Sequence, residues 1–169
     1  GVFNVAFIAM GSATAIIMGQ KLGEWGESRV TELKDEAWKL TFFSVFLCII
    51  SAILMLSISG VFPMIYNTTD EIRKLATGLI CISAAFMPMH AFNNASYFII
   101  RSGGKTFITF LFDSCFCWLA SIPVAFFLAH YTDVPILPMY AMVASAELVK
   151  VVIGAVLVNK GIWIRDITV

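Results

Sequence analysis

Glu147 and Lys150 stand three residues apart inside an otherwise apolar run from about residue 136 to 158. Positions three apart are neighbours on one helix face, so the spacing predicts that the two side chains reach each other. An ionised group at the centre of a bilayer costs about 2.5 to 3.5 kcal/mol on insertion scales, so both need a bundle interior or a hydrated path. The chemistry open to such an acid is the relay of a proton or the binding of a cation. An internal ion pair that fixes helix register is the alternative.

A second set lies in the run from about 75 to 100. Ser83, Met87, His90, Asn94, Tyr97 and Arg101 follow steps of three and four, with Asn93 beside them. Amide and imidazole groups facing lipid would go unpaired at several kcal/mol each, so this face looks into protein or a wet cavity. Interhelical hydrogen bonding accounts for the same residues and stays open. In the run from about 107 to 130, Asp113 lies near one end, in line with Thr106, Thr109 and Cys117, and within reach of interfacial water or of a base such as Arg101. The candidates for a substrate or cation pathway are thus His90, Asn93, Asn94, Tyr97, Asp113, Glu147 and Lys150.

The elements that position these groups are five apolar runs, about 2–18, 40–66, 75–100, 107–130 and 136–158. About 20 apolar residues at 1.5 Å rise cross a hydrocarbon core of ~30 Å, so each is read as a transmembrane helix. Hydrophobic residues make up 60% of the chain and charged ones 13%, where a soluble domain carries ~25% charged residues. The fold class expected is all-α, a polytopic bundle of five transmembrane helices forming one membrane domain over residues 1–169. A zero net charge gives no reason to expect a nucleic-acid partner.

Within the first run Gly11, Ala15 and Gly19 recur every four residues and predict a seam of close helix contact. Thr41, Ser44, Ser51 and Ser59 predict a packing stripe on the second. Pro88 and Pro123 are expected to kink their helices, whereas Pro135 and Pro138 bracket the start of the last one, where a missing N–H costs nothing. Residues 20–39 interleave Lys21, Arg29, Lys34 and Lys39 with Glu24, Glu27, Glu32, Asp35 and Glu36, and read as an amphipathic, partly helical connector.

The first and third connectors and the tail hold eight Lys and Arg residues, with Lys160 and Arg165 in the tail, against Arg73 and Lys74 in the other two connectors. The positive-inside rule puts the richer side, and with it connector 20–39 and the C-terminus, in the cytoplasm of an inner or plasma membrane protein. The N-terminus then falls outside. A chain that starts at Gly1 in this orientation is expected to lack at least one preceding helix.

Enzyme motifs fail. The Gly104–Lys105–Thr106 triplet lacks the P-loop's first glycine, since position 99 is Ile, and has no preceding strand. There is no HExxH, GxSxG or Cys/His metal spacing, and Cys48, Cys81, Cys115 and Cys117 all lie in apolar runs; for Cys115 and Cys117, two apart and so on different helix faces, bulky-apolar filler is the plainer reading and metal binding the remote alternative. No enzyme, cofactor or metal is expected. Asn67–Thr68–Thr69 fits a glycosylation sequon in an outward loop.

Four features resemble the C-terminal half of a multidrug and toxic compound extrusion (MATE) family transporter. They are GSATAIIMGQKLG from Gly11 to Gly23; RSGGKT from Arg101 to Thr106; Asp113, Trp118 and Pro123 at five-residue spacing; and Glu147 with Lys150, followed by Gly161 and Trp163. Their order is similar to helices eight to twelve of a twelve-helix chain and covers essentially all 169 residues. The resemblance implies a partial second lobe of an exporter that moves small organic compounds, cations among them, against an inward flow of sodium ions or protons. It also implies an N-terminal lobe of the same transporter as a partner, beside the lipid bilayer.

The sequence departs from that pattern where the sodium-coupled branch carries a carboxylate. Residues 75–100 contain no Asp or Glu, although His90 and Asn93 lie near the place, and Lys105 stands where relatives often have Asp. In another branch the coupling carboxylate belongs to the first lobe. The expected function is therefore a fragment of a drug:sodium or drug:proton antiporter that does not transport by itself. A lipid-linked glycan flippase-like relative and a non-transporting helix-association module are the alternatives.

Overall fold

The computed structural model describes residues 2–164, so Gly1 and Arg165 lie outside the described residues, as does the side chain of Glu27. Five long helices follow one another: α1 Val2–Trp25, α2 Val30–Ile58, α3 Asp70–Ser102, α4 Thr106–Tyr131 and α5 Ile136–Lys160. No strand occurs among the described residues. All five are long and apolar enough to cross a membrane.

The helices outrun the apolar cores read from the sequence, because a helix does not stop where hydropathy falls. The charged connector is largely helical: α1 continues to Trp25, a 3₁₀ turn at Gly26–Arg29 reverses the chain, and α2 starts at Val30. Gly26 takes φ +58, a left-handed conformation that glycine adopts without a Cβ clash. Lys21 of α1 then meets Glu36 of α2 at 2.7 Å, and Lys39 reaches the other oxygen of Glu36 at 2.9 Å.

At its far end α2 falls short of the expected residue 66. It stops at Ile58, the Ser59 hydroxyl donates back to the Leu56 carbonyl at 2.7 Å, and Pro63 sits in a 3₁₀ turn over Phe62–Ile65.

Helix α3 is the hub and packs against α1, α2 and α5. It carries Pro88 in its interior and stays α-helical on both sides of it. At Pro123 the winding does change. Leu111–Cys115 and Cys117–Ser121 are π-helical, and Pro123 occupies the first turn of the α-helical stretch Ile122–Tyr131. A proline ring collides with the carbonyl four residues back and offers no N–H. Wider winding just before it removes both conflicts.

Pro135 caps α5 at its start, and Gly161 closes it in the left-handed conformation at φ +65.

The best-packed core sits where the short connectors gather. Met18 and Leu22 of α1, Leu33 and Ala37 of α2, Ile99 and Ile100 of α3, Val158 of α5 and Trp163 form one buried cluster. The Trp163 indole donates to the Val158 carbonyl at 3.1 Å, and its backbone carbonyl lies where a Cβ on Gly103 would have to go.

The small-residue seam is shifted from its expected register. Gly11, Thr14, Met18 and Leu22 are the buried positions of α1, whereas nothing lies within 4 Å of a Cβ at Gly19. On α2, Thr41 and Ser44 are buried and Ser51 partly so, and Ser59 just past its end is buried too. The hydroxyls of Thr41, Ser44 and Ser51 each donate to the carbonyl four residues back. This matches the expected packing stripe.

Candidate functional site

Each polar group of the site is placed by a helix that is otherwise apolar, so the bundle decides which groups meet. All seven expected residues, His90, Asn93, Asn94, Tyr97, Asp113, Glu147 and Lys150, line one cavity of about 590 Å³. Helix α3 supplies the first four, α4 supplies Asp113, and α5 supplies the last two. Arg101 lines the same space, and Asn4, Phe7 and Ile8 of α1 close a further side.

The pairing differs from the one expected within α5. Glu147 faces α3: Asn93 donates through Nδ2 to Glu147 Oε2 at 3.2 Å, and His90 Nδ1 lies 3.5 Å from the same oxygen. Lys150 extends the other way, and its Nζ donates to Asp113 Oδ1 on α4 at 2.6 Å. Neighbours three apart on a helix share a face, but facing helices on both sides offer each side chain a partner nearer the tip of its reach. Asp113 therefore pairs with Lys150 and not with Arg101.

The two pairs differ in burial. The Lys150 side chain is 11% exposed and that of Asp113 57%, so a buried ammonium is held by a carboxylate that keeps contact with the open side. The Phe112 ring lies 5.2 Å from Lys150 Nζ and presents its electron-rich face to the charge.

Asn94 joins cavity and scaffold. Its Nδ2 donates to the Phe7 carbonyl of α1 at 2.7 Å, an interhelical hydrogen bond at the cavity wall. Gly11 makes this approach possible, since a Cβ there would collide with the Phe98 ring and lie 2.8 Å from Asn94 Nδ2. Both readings of the α3 polar face, cavity lining and helix association, hold for this one residue.

Asn93 is 4% exposed and its Oδ1 is buried without a hydrogen-bond partner, as is Ser96 Oγ one turn along. Such atoms are rare in folded proteins.

Asn4 and Phe7 were missed by sequence reasoning. Asn4 stands seven residues before Gly11 on the face that packs against α3, and that periodicity was the available signal. The part played by the Phe7 carbonyl has no sequence signal, because every residue has one.

A second cavity of about 600 Å³ adjoins the first, sharing Asn4, Phe7 and His90 with it. Among the described residues no group of three His, Cys, Asp or Glu side chains is arranged to hold a metal ion, and all four cysteines are free.

The family model MatE matches residues 1–127, which hold α1, α2, α3 and most of α4 but neither Glu147 nor Lys150. Members of that family are transporters, not enzymes. No curated protein and no solved structure matches the chain.

Proposed function

We propose that this chain, which belongs to the MatE family, handles ions and substrate in a secondary active exporter that moves small organic compounds, cations among them, against sodium ions or protons. The observation that carries this reading is the convergence of Asn93, Asp113, Glu147 and Lys150 from three helices on one cavity. Intramembrane ionisable groups are rare, expensive and kept where something must pass. Glu147 is the residue that takes the coupling ion or the cationic part of the substrate, and His90 and Asn93 hold its carboxylate in place meanwhile. Lys150 and Asp113 compensate each other beside it.

Alternating access needs two repeats that rock against each other around a shared site. An N-terminal lobe of the same transporter is the partner that completes the cavity, and the five helices alone do not transport. The chain lies in the inner or plasma membrane, with the core around Trp163 on the cytoplasmic side. Lys21, Arg29, Lys34, Lys39, Arg101, Lys105 and Lys160 gather at that end, while Arg73 and Lys74 belong to the other.

Two measurements test this. In efflux-deficient cells, drug accumulation is expected to be unchanged by the 169 residues alone once membrane insertion is verified; resistance from them alone would overturn the two-lobe reading. In a two-lobe transporter carrying this lobe, Glu147→Gln keeps the size of the side chain and removes its charge. Export is expected to fall at least tenfold, and unchanged export and coupling would remove Glu147 from the pathway.

A further inference from the structure

One ammonium stands between two carboxylates. Lys150 Nζ donates to Asp113 Oδ1 on α4 at 2.6 Å, yet Glu147 lies three residues back on α5, a neighbour on the same helix face. Every Cα–Cβ bond of a helix tilts toward its N-terminus. The stem of Lys150 therefore leans over the turn that carries Glu147, and both acids are within the length of its side chain.

What keeps the ammonium on the Asp113 side is local. The buried Phe112 ring lies 5.2 Å from Nζ and offers its face to the charge. Gly154 makes room for that ring, since a Cβ there would lie 3.2 Å from Phe112 Cζ. Lys150 is itself buried, so its charge has to meet a partner wherever it sits.

On the other side, Glu147 is held more loosely, by Asn93 at 3.2 Å and His90 at 3.5 Å. Asn93 is neutral, and His90 is charged only when protonated. One lysine cancels one acid at a time. While it rests on Asp113, the charge of Glu147 stays open to an arriving cation; were it to turn, it would compete from a tether, at an effective concentration set by that tether.

We infer, resting on the part proposed above for Glu147, that Lys150 is a tethered competitor for the cation at Glu147, and that Asp113 and Phe112 are positioning residues that withhold it. Turning to Glu147 forfeits the Phe112 contact and crowds the Asn93 and His90 bonds, so it offsets only part of the cost of a lost Asp113.

The test measures binding of radiolabelled tetramethylammonium, whose charge cannot be lost as a proton, to the purified chain in phosphatidylcholine nanodiscs by equilibrium dialysis, with empty nanodiscs as the blank. Lys150→Gln removes the competitor and is expected to tighten binding about fivefold or more, whereas Asp113→Asn frees it and is expected to weaken binding about tenfold or more. In the Lys150→Gln background, Asp113→Asn is expected to change the affinity less than about twofold, because the lysine it acts through is gone. Phe112→Leu alters no charge and keeps the apolar bulk; it is expected to weaken binding about threefold by loosening the ammonium, and it serves if Asp113→Asn does not fold.

Equal or weaker binding by folded Lys150→Gln overturns the inference and leaves a structural ion pair. A double variant back at the original affinity means two fixed charges acting at a distance and overturns it too, as does unchanged binding in folded Phe112→Leu. Glu147→Gln separates the two levels. If it binds the probe as well as the original chain does, or if no protein binds it, the reading of Glu147 falls and the competitor with it; if it alone loses binding while the Lys150 and Phe112 variants change nothing, only the competitor falls.

Discussion

Lys150 and Asp113 form one ion pair whose members would be missed very differently. Removing Asp113 leaves an ammonium that is 11% exposed on its side chain, whereas removing Lys150 leaves a carboxylate that is 57% exposed on the cavity lining. Deleting one partner of a buried pair costs about 3 to 5 kcal/mol because the other charge is stranded, whereas an exposed ion pair is worth about 1 kcal/mol or less. Asp113→Ala is therefore expected to destabilise the chain by about 3 kcal/mol and Lys150→Met by about 1 kcal/mol, measured as denaturation midpoints in one detergent. Equal losses would mean that the pair is buried, or exposed, on both sides. The seven site residues were legible because each is a polar group in an apolar run. Their partners were not, because spacing along one helix names the neighbours on that helix and is silent about the helix opposite. Glu147 and Lys150 illustrate this, being three apart in sequence and committed to α3 and α4 respectively.

At the scale of the elements, hydropathy located all five helices and misplaced their ends. Apolar composition reports where lipid lies, while a helix continues until its backbone is turned, as at Gly26 with φ +58 or at the 3₁₀ turn holding Pro63. Proline alone also did not say which helix would change its winding; α3 stays α-helical through Pro88, whereas α4 widens before Pro123. If the proline causes that widening, Pro123→Ala lets residues 117–121 return to bonds four residues apart, and their amides are expected to exchange more slowly with deuterated solvent. Unchanged exchange would place the cause in the Lys150–Asp113 tether. The glycines give a paired prediction. Gly103→Ala drives a Cβ into the Trp163 backbone carbonyl, which has no side-chain freedom with which to yield, and is expected to cost about 1 to 3 kcal/mol. Gly19→Ala meets nothing within 4 Å and is expected to stabilise α1 by up to about 1 kcal/mol. The same denaturation measurement reads both, and a loss at Gly19 would restore the small-residue seam in its expected register.

Across the whole molecule, apolar side chains face outward along the helices: Phe42 is 65% exposed, Phe126 60% and Leu119 79%. A protein in water would hide such groups, while one in lipid has no reason to. Helix α4 carries the lowest buried share of the five and is held to α5 at the site by Asp113 and Phe112. The ends of the bundle differ in turn. At one, Trp163, Gly103 and the Lys21–Glu36 pair tie four helices around a buried core. At the other, the Ser59–Pro63 turn borders the second cavity. The proposed cytoplasmic placement of the tied end follows from its excess of Lys and Arg, and one experiment tests that placement without reference to transport. The four native cysteines are first replaced by alanine, and single cysteines are then introduced as Lys105→Cys in the α3–α4 turn and Thr132→Cys in the α4–α5 turn. A membrane-impermeant maleimide added to intact cells is expected to label the cysteine at 132 and to reach the one at 105 only after permeabilisation. The reverse pattern would invert the molecule and place the charged end outside.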